Sequence, residues 1–373
     1  MTKQPDAEKS TARSTPHASG GASGYIPGFD GLRAIAVGMV LVAHAGYGML
    51  VPGGFGVTIF FAISGYLIST LLINEFARSG TINLKLFYLR RILRLYPELI
   101  ALVILCLIAG AALDLRATPA EKLAGLFYYM NYYYVFGAHY PESVSYPWRQ
   151  LWSLAIEEHF YFFFPGLMLF VARTWRSRMI LIVTLLAVPF LWRFVTYFWL
   201  GLPAQYNYVA TDTRIDSIAW GCLLALLMRR PDNSERTIRE LWFISRPAIV
   251  LGFVIILGTL LYRDEAFRWT WRFTLQGIGI VLIIANLLFD PRWKNVVRAL
   301  EWRPIRYVGR ISYGLYLYHM LLNRLIEQAW PGISPPILLP ISLVVSLTVA
   351  SVSYNALEMP LKAIRRRLGS HVR

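Results

Sequence analysis

The sequence predicts an all-α protein, a polytopic transmembrane helix bundle of about ten spans, on three observations. Hydrophobic residues make up 56% of the 373 residues and charged residues only 16%. Soluble domains carry roughly 25% charged residues, so this chain has too few charges to cover a globular surface. Apolar runs of membrane-spanning length recur along the chain, and a helix satisfies all its own backbone groups in hydrocarbon. Lys and Arg cluster between these runs, as in cytoplasmic loops.

Ten candidate spans follow from the apolar runs: 31–50, 54–76, 96–114, 150–172, 179–199, 210–229, 246–262, 272–289, 306–327 and 335–357. A further apolar stretch, 123–137, is short for a crossing and more typical of an interfacial or re-entrant segment. If it crossed, every later loop would change sides and the basic clusters would lie outside. The positive-inside rule therefore favours ten crossings with both termini in the cytoplasm.

The chain is predicted to contain one folded domain with a tail at each end. Residues 1–26 are rich in Ser, Thr, Ala and Gly and read as a disordered cytoplasmic tail, not a signal peptide. Residues 27–362 form the membrane domain, and 363–373 form a basic cytoplasmic tail. The net charge of +16 is spread between apolar runs, which argues against a nucleic-acid partner. Cys106 and Cys222 lie inside apolar stretches, and we expect neither a disulfide nor a metal site.

Ionisable side chains inside the spans are candidates for function, because a charge in hydrocarbon is costly. Arg33 and His44 are 11 residues apart in span 1. At 100° per residue they return to nearly the same helix face, about 16 Å apart along the axis. One face could thus hold phosphates at the inner surface and present an imidazole farther out. Alternatively, Arg33 only snorkels and His44 is a helix-to-helix hydrogen-bonding residue.

Other spans carry further candidates. Span 4 contains the adjacent acids Glu157 and Glu158, which packing alone does not explain. Span 9 contains His319, for which a site role and a packing role are equally plausible readings of the sequence. Span 6 begins with three alternating charges that form either part of a site or a self-neutralising ion cluster: Asp212, Arg214 and Asp216. Before span 3, three arginines share one side of a helical turn, a geometry suited to phosphates: Arg90, Arg91 and Arg94.

These motifs together resemble the acyltransferase-3 family of bacterial integral-membrane O-acyltransferases. The matching segments are Phe29-Asp30-Gly31-Leu32-Arg33-Ala34 with His44, Phe60-Phe61-Ala62-Ile63-Ser64-Gly65-Tyr66, the Arg90-Arg91…Arg94…Pro97 run, Trp152-Ser153-Leu154 with Glu157-Glu158 and Phe160-Tyr161, Asp212-Thr213-Arg214, and Glu358…Pro360. The resemblance implies transfer of an acyl group, usually acetyl from acetyl-CoA, to a hydroxyl of a cell-envelope or exported glycan, a glycolipid or another hydroxylated metabolite. Many relatives carry an additional extracytoplasmic hydrolase-like domain, which we do not expect after residue 360.

The resemblance assigns roles to individual residues. His44 matches the family's essential histidine, and the family's other functional positions are matched by Arg33, Arg90, Arg91, Arg94 and Glu358. We hypothesise that the arginines bind the donor and that His44 acts as general base, oriented by the carboxylate of Glu358 or Glu157. An acyl-histidine intermediate is the open alternative. The candidate acceptor-binding residues are Glu158, Asp212, Arg214 and His319.

The expected partners follow from this assignment. Acyl-CoA is a donor co-substrate and not a permanently bound cofactor, the acceptor is a hydroxylated molecule such as a carbohydrate, and the surroundings are the lipid bilayer of the bacterial cytoplasmic (inner) membrane. The alternative function is a transporter or flippase that uses the same intramembrane charges. The absence of an evident internal repeat argues against it. The sequence does not predict the oligomeric state.

Overall fold

A computed structural model describes residues 25–113, 117–137, 147–229 and 241–368. Within these ranges the protein is helical, and ten of its helices have 13 residues or more. They are α1 Phe29–Val42, α2 Gly53–Ser79, α3 Leu84–Leu113, α4 Leu151–Phe170, α5 Trp175–Phe194, α6 Asp216–Met228, α7 Arg246–Leu261, α8 Trp271–Phe289, α9 Ser312–Ala329 and α10 Pro335–Ser353. Of the two predicted tails, residues 1–24 and 369–373 lie outside the described residues, while a helix, Met359–Arg367, extends into the second tail.

Each long helix falls on one predicted span, so the all-α fold is confirmed. Among the described residues, six helical segments are long and apolar enough to cross a membrane: Phe29–Tyr47, Gly53–Ser79, Leu84–Ala111, Trp175–Trp199, Trp271–Phe289 and Pro335–Arg365. Large apolar side chains point outward from them, with Ile108 61% and Val344 64% exposed. Such a surface suits a multi-pass membrane protein. Ten crossings and the orientation of the termini stay predictions.

Two segments differ from the predicted boundaries. α3 begins at Leu84, about three turns before the predicted start of span 3. The basic run is therefore helical and continuous with the span, and Pro97 lies inside the helix. The stretch 123–137 is not one helix, because a helix ends at Leu126 and Tyr128 adopts a positive φ of 55°. It therefore lacks a continuous helix that could cross the bilayer.

α2 crosses α6 at close range through two glycines. A Cβ added at Gly65 would lie 1.9 Å from the Ile218 carbonyl oxygen, and one at Gly221 would lie 1.9 Å from the Ala62 carbonyl oxygen. The two backbones are therefore in direct contact. Small residues allow this approach, which is a common device for packing helices in membranes.

The start of α1 is fixed by a carboxylate from another part of the chain. Glu301 accepts hydrogen bonds from the Tyr25 hydroxyl at 2.5 Å and from the Gly28 backbone N–H at 2.7 Å. Burial, followed by the hydrogen bond to Glu301, raises the pKa of Tyr25. The phenol thus stays a donor, and α1 begins at a fixed position.

Reporter fusions test the topology. A reporter after residue 140 and one after residue 232, both outside the described residues, are expected on opposite sides of the membrane, since three predicted spans separate them. Alkaline phosphatase activity should mark the first site and green fluorescence the second. Finding both on one side would contradict the ten-span count.

Candidate active site

His44 lies on a wide helical turn, Ala43–Tyr47, that follows the end of α1. The turn depends on Gly46, whose φ of 98° is in the left-handed region that favours glycine. A Cβ at Gly46 would lie 2.7 Å from the Pro335 side chain, so the start of α10 packs directly against the turn. The His44 carbonyl accepts a hydrogen bond of 3.2 Å from the Asn323 amide of α9. These contacts hold the imidazole in place.

His44 pairs with His319 of α9. The distance from His44 Nδ1 to His319 Nε2 is 2.9 Å. His319 Nδ1 faces the carbonyl oxygens of Tyr316 at 2.8 Å and Leu315 at 3.2 Å. Carbonyl oxygens only accept, so His319 Nδ1 carries a hydrogen and, in a neutral ring, Nε2 is an acceptor. His44 Nδ1 must then donate, which leaves His44 Nε2 with a free lone pair.

The two rings differ in access. His319 is fully buried, whereas His44 is only half-buried. The sequence hypothesis gave a carboxylate the task of orienting His44, but the hydrogen-bonding partner in the structure is His319. Glu157 accepts a hydrogen bond of 3.0 Å from the Ser64 hydroxyl. Glu358 follows the end of α10 opposite Pro335, which places it far from the histidines, and it pairs with Arg365 at 3.1 Å.

The predicted donor-binding arginines lie in two environments. Arg91 is fixed: its guanidinium stacks 3.3 Å from the Tyr161 ring centroid, and its Nε lies 3.4 Å from Glu158 Oε1. The Arg91–Glu158 contact joins a predicted donor residue to a predicted acceptor residue. Arg90 donates to the Leu368 carbonyl at 3.0 Å and pairs with Glu75 at 3.7 Å, which ties α3 to the end of α2.

Arg33 and Arg94 are the remaining two. They are near enough to interact electrostatically with each other, and three carboxylates also act on Arg33: Asp30, Glu358 and Glu157. In the described part of the chain neither guanidinium forms an ion pair or hydrogen bond. Both side chains are partly exposed. They are therefore the arginines best able to receive phosphate groups.

The three charges at the start of α6 form no ion pair with one another in the described structure, although Asp216 acts electrostatically on Arg214. Asp212 accepts from Tyr132 Oη at 3.0 Å, from Trp192 Nε1 at 2.6 Å and from the Tyr206 hydroxyl. Asp216 pairs with Arg193 at 2.8 Å, and both side chains are fully buried. Arg214 turns instead toward aromatic rings.

Among the ionisable residues of the interior that were not singled out from the sequence are Arg193, Glu98 and His159. Arg193 anchors α5 to α6 through Asp216. Glu98 is buried in α3 and accepts a hydrogen bond of 3.3 Å from Ser353. His159 contacts the Thr211 hydroxyl at 2.7 Å. Each lies inside an apolar run, so the rule that selected the other candidates could have found them. In the described ranges, no three His, Cys, Asp or Glu side chains are grouped to hold a metal.

The fold and the site together define a multi-pass membrane protein with ionisable side chains inside its helix bundle. A half-buried imidazole lies near one end of α1, and toward the other end lie two arginines that form no ion pair within the described residues. The chain belongs to the acyltransferase-3 family, whose model, described as an acyltransferase domain, matches residues 26–355. The predicted family is thus confirmed.

Curated relatives agree with this assignment. The chain is 30% identical over 350 residues to a putative O-acetyltransferase, SACOL0978, of Staphylococcus aureus strain COL. It is 29% identical over 361 residues to the O-acetyltransferase OatA of S. aureus strain NCTC 8325. Both alignments cover 91% of this chain but only 57% of the relative. No solved structure matches the chain.

Proposed function

We propose that this protein is a membrane O-acetyltransferase that moves an acetyl group from cytoplasmic acetyl-CoA to a hydroxyl of a cell-envelope or exported glycan or a related hydroxylated metabolite, in the bacterial inner membrane. The observation that carries the proposal is the His44–His319 pair. Its hydrogen bonds leave His44 Nε2 as an accessible proton acceptor. The family and the O-acetyltransferase relatives support the reaction class.

The proposed reaction uses His44 as a general base. Nε2 takes the proton of the acceptor hydroxyl while the hydroxyl oxygen attacks the thioester carbonyl carbon. The C–S bond breaks, the acetyl group becomes an ester of the acceptor, and the CoA thiolate recovers the proton from His44. His319 accepts the Nδ1–H of His44 throughout, so it stabilises the imidazolium and keeps the ring oriented.

Donor binding is proposed for the opposite end of α1. Arg33 and Arg94 receive the CoA phosphates, and Arg91 is held beside them by Tyr161 and Glu158. The axial distance from Arg33 to His44, about 16 Å, is comparable with the reach of an extended phosphopantetheine arm. The transporter alternative is not favoured, because the family is one of acyltransferases.

Thioester consumption tests the proposal. The purified chain given acetyl-CoA and a hydroxylated glycan should release free CoA and form an ester, detected by thiol titration and mass spectrometry. Arg94→Gln should raise the KM for acetyl-CoA about 10- to 100-fold, since a hydrogen bond to a charged group is worth about 1.5–3 kcal/mol. The KM for the acceptor should change little.

The charge-matched control is Arg173→Gln, because Arg173 is exposed and bonds only the Leu169 carbonyl. It should behave like the unmodified protein. If CoA is not released with any of the acceptors tested, the proposed reaction is refuted. If Arg94→Gln changes only the KM for the acceptor, the proposed donor site is refuted.

A further inference from the structure

Arg214 is a buried cation inside an aromatic cage. Its side chain has no exposed surface. The guanidinium carbon lies 3.8 Å from the ring centroid of Phe273, 5.5 Å from that of Tyr208 and 5.7 Å from that of Phe61. Its one hydrogen bond runs from Nη2 to Thr58 Oγ1 at 3.2 Å. The aromatic faces attract the cation but cannot accept its remaining hydrogens in the plane of the guanidinium.

The other donors of Arg214 are unused. Nε and Nη1 are buried and have no hydrogen-bond partner among the residues that the structure describes. Asp216 acts electrostatically on Arg214, but its carboxylate is held by Arg193 and Thr274, and Asp212 is held by Tyr132, Trp192 and Tyr206. Arg193 and Arg214 thus share one carboxylate, and the excess of buried positive charge is unfavourable. Aromatic rings therefore surround Arg214, but its positive charge is not fully balanced and two of its nitrogen atoms lack acceptors among the described residues.

A second cation lies against the same ring. The guanidinium carbon of Arg272 is 5.1 Å from the Phe273 centroid, and Arg272 is near enough to Arg214 for their like charges to interact. No carboxylate of the described residues forms an ion pair with Arg272. Two guanidinium groups on one ring are a pattern that a carboxylate or phosphate would neutralise, because either anion accepts several N–H donors at once.

This arginine pair is connected to the histidine pair through the first turn of α4. Trp152 packs on Tyr208 with ring centroids 4.8 Å apart. The adjacent Ser153 contacts the Tyr316 hydroxyl at 2.6 Å, and the Tyr316 carbonyl is the acceptor that fixes the tautomer of His319. One turn of helix thus touches both the cage of Arg214 and the support of His44.

We infer that Arg214, assisted by Arg272, binds an anionic group, a carboxylate or a phosphate, on the acceptor whose hydroxyl reaches His44. This inference rests on the proposed function, because the anionic group is assigned to the acceptor of the proposed acetyl transfer. The substrate class is thereby narrowed to acidic hydroxylated molecules, either a sugar acid or a sugar carrying phosphate.

Thermal unfolding of the purified full chain in detergent tests this without acetyl-CoA, so its outcome is independent of whether acetyl transfer occurs. The probes are sodium glucuronate, glucose 6-phosphate and glucose, at constant ionic strength adjusted with sodium chloride. We expect glucuronate or glucose 6-phosphate to raise the unfolding midpoint in a saturable manner and glucose to leave it unchanged. The stronger of the two charged probes identifies the source of the anion.

Arg214→Met is the decisive variant, because it removes the charge and keeps an unbranched side chain. Its midpoint without probe should equal or exceed that of the unmodified protein, since the excess buried positive charge disappears. The shift caused by the charged probe should be lost, and Arg272→Met should reduce it. Arg324→Gln is the control: Arg324 is exposed and pairs only weakly with Glu327 at 4.0 Å, so the shift should persist.

Three results would overturn the inference. One is an equal shift with glucose, which would remove the role of charge. Another is an undiminished shift in Arg214→Met. The third is an Arg214→Met protein that unfolds at a lower temperature or does not fold, because this would give Arg214 a purely structural role.

Discussion

Replacing His44 with alanine is expected to lower the rate of acetyl transfer by about 10³-fold, within the range of about 10²–10⁴ that general bases contribute. The side chain is half-buried, and its one hydrogen-bonding contact is with His319. Folding should therefore be nearly unaffected. The measurements are ester formation from acetyl-CoA and the elution profile of the detergent-solubilised protein.

The pairing of the two histidines gives this prediction a matched set of variants. His319→Ala should lower the rate, and His319→Gln should restore part of it, because the glutamine oxygen can accept the His44 Nδ1–H. The double variant lacking both imidazoles should be no slower than His44→Ala, since residues that act as one unit have non-additive effects. Multiplicative losses in the double variant would show that His319 acts independently of His44. An acetylated His44 trapped by mass spectrometry would replace the general base with an acyl-histidine intermediate.

The second large effect is expected at the crossing of α2 and α6. Gly221→Ala places a methyl group 1.9 Å from the Ala62 carbonyl oxygen, a distance at which the two helices must separate. Separation breaks a buried contact that continues through Gly65 and Ile218, so the loss should exceed about 3 kcal/mol, the upper end for ordinary overpacking. Little monodisperse protein should be recovered after solubilisation.

Gly258→Ala in α7 is the matched control. A Cβ there meets nothing within 4 Å, so the change should stabilise the helix by up to about 1 kcal/mol through its higher helix propensity. If Gly221→Ala lowers the stability of the protein and Gly258→Ala raises it, the loss in Gly221→Ala comes from the helix crossing. Normal recovery of Gly221→Ala would contradict the close approach of the two backbones.

Much of the fold could be predicted from the sequence, because membrane spans are specified locally by runs of apolar residues. The start of α3 was predicted too late for the same reason. Arg90, Arg91 and Arg94 lower the hydropathy of a segment that still forms a helix, and only the backbone hydrogen bonds reveal that the helix continues through Pro97. Hydropathy locates the hydrocarbon layer better than it locates helix ends.

The site was predictable in its members but not in its pairings. Intramembrane charges selected His44, His319 and Arg214 as candidates, yet a carboxylate was expected beside His44. The actual partner depends on where the turn at Gly46 places the imidazole against α9, and such a tertiary contact leaves no local pattern. The pairing of Arg193 was missed for the same reason. Its partner Asp216 lies 23 positions away, and the sequence had grouped Asp216 with Asp212 and Arg214.

Because the partner of His44 is an imidazole and not a carboxylate, the net charge of the resting site is different. A carboxylate beside His44 would place a permanent negative charge in the resting site. That charge would repel the strongly anionic coenzyme of the proposed reaction. Two imidazoles in the tautomers fixed by the Tyr316 carbonyl form a resting dyad without formal charge. In the proposed reaction this dyad gains a positive charge only while the acceptor proton is in transit, so its own charge changes during turnover and returns to zero between turnovers.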